Sequence, residues 1–318
     1  METTEGAELC FPLLLNTSCR KPQSYGMPVN LLLSFISLLT AALNLLVIIS
    51  ISHFRQLHSP TNLLILSLAV SDFLVGLLLM PVGILLTGNC WFLGDRMCNL
   101  YCIIEFIITS LSVGNMVLIS IDRYLAICHP LHYNTRVTLD RTKICVCLCW
   151  IYSVLCSILI FTESLRHPTL NNSCYGECVI AFDWITGSVD FVLTIIVPIT
   201  VIIVLYIRIF VVAVSQAQAM RSITLQGSVG VTAKKSEIKA ARTLGIVVVV
   251  FLICLCPLYF SFIKSQTTSF TFTTWLFYCN SSLNPVIYTF FYPWFRKSLK
   301  LIVSFKILQP DSCDMKIL

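Results

Sequence analysis

The chain has 318 residues, of which 57% are hydrophobic and only 11% charged, with a formal net charge of +6 and a mean hydropathy of +0.87. This balance excludes an ordinary soluble domain and is that of a polytopic membrane protein. The positive charge, sorted by side below, describes a basic membrane face rather than a nucleic-acid surface.

Residues 1–26 hold no basic stretch followed by an apolar core, because "CFPLLLN" is short and broken by Pro12, so no cleaved signal peptide is expected. A spanning helix needs about 20 predominantly apolar residues. Seven such runs follow, near 28–51, 62–86, 98–125, 144–161, 186–212, 240–263 and 271–292. They predict an all-α, seven-span bundle over 27–292, an outer N-terminal segment over 1–26 and a cytosolic remainder over 293–318. With the N-terminus outside, sixteen of the 21 Lys and Arg residues fall on the inner side and five on the outer, which orients the chain N-out and C-in.

The cysteines sort by compartment on this topology. Cys10, Cys19, Cys90, Cys98, Cys174 and Cys178 fall on the outer side, where disulfides persist, and the others lie in spans or on the inner side. "NTS" at Asn16 and "NNS" at Asn171 are glycosylation sequons on that same side. The longest inner loop, 215–237, is polar and reads as a flexible connection between the fifth and sixth spans.

Polar residues inside spans are expensive, about 2.5–3.5 kcal/mol for a charge at mid-bilayer on insertion scales, and are functional candidates for that reason. They are Asn44, Asp72, Glu105, Ser112, Asp190, Asn280, Ser281 and Asn284. "DRY" stands at Asp122, Arg123 and Tyr124 at the inner end of span three, and "FLICLCP" leads to Pro257 in span six. Pro198, Pro257 and Pro285 interrupt the helix ladder in three spans. No loop presents a nucleophile with base and orienter or a phosphate-cradling turn, and the five His residues are scattered, so an enzyme is not expected.

This constellation resembles the rhodopsin-like G-protein-coupled receptors over the whole chain. "NSSLNPVIYTFFYPWF" at 280–295 is similar to the signature of trace amine-associated receptors, with Asn280, Ser281, Asn284, Pro285, Tyr288, Tyr292, Trp294 and Phe295 in place. "KSEIKAARTLGIVV", "HSPTNLLILSLAVSDFLVG" and "CYGEC" are similar to that family as well. The resemblance implies a short amphipathic eighth helix after span seven. It further implies a Cys98–Cys178 bridge tethering the second outer loop, an additional bridge from Cys174 to Cys19 or Cys10, and a switch in which Arg123 pairs with Asp122 and with Glu237 of span six. The resemblance likewise implies that Asn284, Pro285 and Tyr288 of span seven belong to the switch. Cys90 is then left over. Asp72, Ser112, Asn280 and Ser281 resemble the family's sodium site, and oxygen ligands suit a hard cation such as Na+; a water-filled network is the alternative.

Amine receptors of this class hold the ligand ammonium with an acid in span three, here Glu105, seven residues after Cys98 and roughly 10 Å into the bundle. Asp190, eight residues before Pro198, stands at a matching depth in span five, where non-typical, fish-type family members place an acid. Two carboxylates facing one dry cavity repel each other, and a ligand with two cationic ends removes that penalty. Tyr278 and Trp275 of span seven, with Phe106 and Tyr259, complete the expected pocket. Leu255 stands where the family usually has Trp, and Leu43 where Gly commonly precedes the span-one Asn. The expectation is a plasma-membrane receptor for small amines, olfactory in role and coupled to a stimulatory heterotrimeric G protein, with diamines or polyamines favoured. A monoamine receptor using one acid and a cation or amine transporter are the competing readings.

Overall fold

A computed structural model describes residues 9–11, 18–19, 26–86, 89–166, 176, 178, 184–223, 245–257, 267–309, 312–315 and 317. Its long helices follow the predicted runs. Span one is Met27–His53, span two Pro60–Leu86, span three Gly94–Cys128 and span four Leu139–Arg166. Span five runs from Trp184–Phe191 through Val192–Ile196 into Val197–Ile223. Span six is described over Gly245–Pro257, and span seven is Thr267–Phe291. The helix ends have local causes. Ser59 caps span two by accepting from the Asn62 amide, with Pro60 at the first position, where its missing N–H costs nothing.

The lateral faces are those of a protein in lipid. On span one Leu31, Phe35 and Leu38 are exposed, whereas Ser37, Thr40, Asn44, Val47 and Ile51, three or four residues apart, are buried. Polar groups therefore turn inward and apolar ones outward, as hydrocarbon solvent requires. Small residues let the spans approach closely. A Cβ on Gly76 would come within 2.7 Å of the Ala41 backbone nitrogen, and the Ser37 hydroxyl donates to the Gly76 carbonyl at 2.8 Å. Span three packs against spans two, four and five, and span one against two and seven. The core between them holds Leu68, Leu79, Met116, Ile119, Phe251, Leu255, Phe277 and Tyr288.

Spans two and five each contain a π-helical stretch, Val75–Leu79 and Val192–Ile196, ending two residues before Pro81 and Pro198. A proline ring collides with the carbonyl one turn earlier and cannot donate to it, and the wider π turn relieves both problems. Pro285 lies inside span seven, and Pro257 closes the described part of span six.

After span seven, Pro293–Val303 forms the short eighth helix, burying Trp294, Phe295 and Ser298 and exposing Arg296 and Lys297. The tail then returns to the end of span one. The His53 ring meets the Ser312 hydroxyl at 2.9 Å, and the Gln56 amide donates to the Asp314 carbonyl and accepts from the Ile317 N–H at 3.0 Å.

Candidate ligand pocket and switch

The described outer-side cysteines gather at one end of the bundle. Cys98 and Cys178 are bridged, as the resemblance implied. The expectation for Cys90 is corrected: it is not left over but bridged to Cys10, which also removes Cys10 as a partner for Cys174. Cys19 is disulfide-bonded, and Cys174 lies outside the described residues. The reason is a packing one. The Cys10 amide donates to the Cys19 carbonyl, and the Trp91 amide, next to Cys90, donates to the Gly176 carbonyl at 3.0 Å. Gly176 has φ 104°, and a Cβ there would stand 2.6 Å from that of Cys10. The N-terminal segment, the loop between spans two and three and the loop before span five thus meet at one point.

Beneath this knot lies Glu105, partly buried on span three. The Tyr278 hydroxyl, on a residue only 1% exposed, donates to Glu105 Oε1 at 2.5 Å, and Tyr101 Oη stands 3.3 Å from Tyr278 Oη. Trp275 packs edge-on against Tyr278 with ring centroids 5.6 Å apart. Phe106 instead turns to span four and packs edge-to-face on Phe161 at 5.4 Å. Tyr259 lies outside the described residues.

Asp190 sits on the part of span five ahead of the π-helical stretch. Its Oδ1 is buried with no hydrogen-bond partner, and the Thr194 hydroxyl donates to its backbone carbonyl at 2.8 Å. Its electrostatic neighbour is Tyr152 of span four. Among the described residues no hydrogen bond joins Asp190 to Glu105.

In the middle of the bundle Asp72 is fully buried. Asn284 donates to its Oδ2 at 2.7 Å, and the Ser281 hydroxyl bonds to it as well. Asp72 Oδ1, Ser112 Oγ, Asn280 Oδ1, Asn284 Oδ1 and Asn44 Oδ1 are buried oxygens without a partner. Asn44 donates to the Ser281 carbonyl at 2.9 Å and so locks span one to span seven. Tyr288 is 1% exposed, with its ring edge-on to Tyr292.

At the opposite end Arg123 forms an ion pair with Asp122, and its guanidinium also donates to Thr61 Oγ1 on span two. Asp122 accepts further from Thr61 at 2.9 Å and from Tyr133 of the short helix Pro130–Arg136 at 2.8 Å. Asp122 and Arg123 are 4% and 9% exposed, so the pair is shielded and closely satisfied. Tyr124 turns aside and packs on His129 at 5.5 Å. Glu237, Asn16 and Asn171 lie outside the described residues. Sequence reasoning missed Thr61, Tyr133 and Tyr101. Each is an ordinary polar residue near a span end, marked only by what it touches.

A buried acid–arginine pair at one end, a partly buried acid beneath a disulfide knot at the other and a buried polar cluster between them, set among long apolar helices, are the features of a helical membrane receptor. Residues 43–288 match the 7 transmembrane receptor (rhodopsin family) family. The chain is 36% identical to trace amine-associated receptor 13c of Danio rerio over 329 residues, covering 98% of this chain and 96% of that one. It is 38% identical to trace amine-associated receptor 8a of Rattus norvegicus over 336 residues, with 98% and 96% covered, and 35% identical to trace amine-associated receptor 1 of Macaca mulatta over 328 residues, with 96% of each covered. The chain belongs to the trace amine-associated receptors of the rhodopsin family, and is a multi-pass membrane protein.

Proposed function

We propose that the protein is a plasma-membrane receptor, N-terminus outside, that binds small cationic amines beneath its disulfide knot and signals to a stimulatory heterotrimeric G protein, in an olfactory role, with diamines or polyamines as preferred ligands. The observation that carries the amine reading is Glu105. It is a carboxylate in the membrane-embedded bundle, partly buried and oriented by Tyr278, with no cationic partner among the described residues. An ammonium supplies the missing charge, and Trp275 and Tyr278 add aromatic faces beside it. The names of the relatives point the same way.

Asp190 supports the second cationic anchor, because its buried Oδ1 lacks a partner and no cation among the described residues pairs with it, and an intramembrane acid without a counter-charge is costly. The specific observation favouring a monoamine instead is that among the described residues no hydrogen bond joins Asp190 to Glu105, while Tyr152 of span four is within reach of its charge. A dose series of diamines of increasing chain length and their mono-amine analogues, on wild type, Glu105→Gln and Asp190→Asn, separates the two. Breaking one partner of a buried ion pair costs about 3–5 kcal/mol, at about 1.4 kcal/mol per tenfold. Both variants should therefore lose diamine potency by roughly a hundredfold or more. Analogues as potent as diamines on wild type would leave Glu105 as the one anchor. Insensitivity of every amine to Glu105→Gln would overturn the amine reading itself.

The unpartnered oxygens around Asp72 fit a sodium ion, since a hard cation takes carboxylate, hydroxyl and amide oxygens. Asp72, Ser112, Asn280 and Ser281 would hold it, and its charge would hold spans two, three and seven together in the resting arrangement. Added Na+ should lower agonist affinity in wild type and not in Asp72→Asn.

A further inference from the structure

Three sulfur atoms meet at the outer end of span three. Cys98 and Cys178 carry the loop-tethering bridge, and Cys102 is a free thiol one turn deeper on the same helix. Its Sγ lies within 4.8 Å of both bridged sulfurs. While Cys98 and Cys178 are bonded, this trio offers one thiol rather than three thiolates, which suits it poorly to a metal and leaves exchange as its chemistry, in which a thiolate attacks a neighbouring disulfide sulfur directly.

We propose that Cys102 is a second anchoring point for Cys178, so that the loop tether can pass between two rungs of span three by intramolecular thiol–disulfide exchange. The Cys102 thiolate attacks Cys178 Sγ. The Cys98–Cys178 bond breaks as the Cys102–Cys178 bond forms, the electron pair leaves on Cys98 Sγ, and the proton released from Cys102 ends there. One thiol and one disulfide stand on each side, so no external oxidant or reductant is consumed.

The geometry around the trio favours a contained exchange. Two residues before Cys178, Gly176 is held from the other side by the Trp91 amide and packs on Cys10 of the Cys10–Cys90 bridge. Cys178 therefore stays within reach of span three while its bond changes hands, a high effective concentration that needs no new contact. Four residues of helix correspond to about 6 Å along the axis. The new rung is thus one turn closer to Glu105, which lies three residues beyond Cys102 and on the same face. Exchange would bring Cys178 one turn nearer to the carboxylate.

The test is disulfide mapping of the full-length receptor in cell membranes. Thiols are blocked with N-ethylmaleimide, and the unreduced protein is digested with chymotrypsin, which cuts after Leu100 and Tyr101 and so separates Cys98 from Cys102. In wild type the Cys98–Cys178 peptide should dominate, with a Cys102–Cys178 fraction that grows when a small thiol is added as catalyst. In Cys98→Ser the Cys102–Cys178 peptide should become the main species and surface delivery should stay within twofold of wild type, whereas Cys98→Ser/Cys102→Ser should lose the bridge and at least tenfold of surface delivery. If Cys98→Ser is retained inside the cell, mapping on total membranes still reports the pairing, because the bridge forms before export. Free, maleimide-labelled Cys102 and Cys178 in Cys98→Ser, or no Cys102–Cys178 peptide in thiol-treated wild type, would overturn the proposal. Neither readout involves a ligand.

Discussion

Tyr278 donates its hydroxyl to Glu105 at 2.5 Å and so ties span seven to span three beneath the disulfide knot. A neutral donor on a carboxylate both orients the acid and stabilises its charged form, and hydrogen bonds to charged groups contribute about 1.5–3 kcal/mol. On the proposed amine reading, Tyr278→Phe should raise the half-maximal amine concentration by roughly ten- to a hundredfold. Tyr101→Phe should shift it only a few-fold, since Tyr101 reaches Glu105 through Tyr278. Dose–response curves at matched surface expression measure both; an unchanged Tyr278→Phe curve means that this bond does not set the acid for binding.

The second prediction concerns the resting state at the opposite end. Asp122 is held by Thr61 and Tyr133 as well as by Arg123, so Thr61→Ala and Tyr133→Phe each remove one constraint on the pair. Each should raise ligand-independent signalling about two- to tenfold, less than the full strength of a charged hydrogen bond because water partly replaces it. Basal output equal to wild type in both would show that these contacts do not guard the switch.

Close packing of spans one and two gives a stability prediction. Gly76→Ala places a Cβ 2.7 Å from the backbone nitrogen of Ala41, where no side chain can yield. Overpacking of this kind costs about 1–3 kcal/mol. Gly83→Ala meets the Trp275 ring at 3.5 Å, an ordinary contact, and should be neutral. Melting of the detergent-solubilised receptor should therefore fall for the first variant alone.

The Cys10–Cys90 bridge predicts a thiol signature. It closes a separation of 80 residues, and in the chain-entropy model a loop of that size contributes about 4–5 kcal/mol. Cys10→Ser should expose Cys90 to an impermeant maleimide at the cell surface and lower surface delivery several-fold, and Cys90→Ser should lower it equally. Absence of new labelling in Cys10→Ser would point to a different partner for Cys90.

Much of this architecture was legible in the chain. Seven apolar runs, the DRY sequence and the span-seven signature all act locally, through helix length, charge position and proline, and local patterns survive in one dimension. Asp72, Asn280, Ser281 and Asn284 were singled out because hydrocarbon penalises any polar residue, whatever its partner. The partners themselves were not legible. Thr61 and Tyr133 are 61 and 11 residues from Asp122, and nothing in their own neighbourhoods marks them. Cys90 was misjudged for the same reason, since a spacing does not state a pairing.

The sequence by itself therefore determined the spans, the family and how far along their helices Glu105 and Asp190 stand, because a helix converts residue count into distance along its axis. Only the tertiary structure decided which partners those acids meet. Glu105 meets Tyr278 across the bundle, while Asp190, ahead of the π-helical stretch near Pro198, has a buried Oδ1 without a partner and makes no hydrogen bond to Glu105 among the described residues. Azimuth around a helix depends on every turn between it and its reference point, and one π turn changes that rotation without changing the residue count.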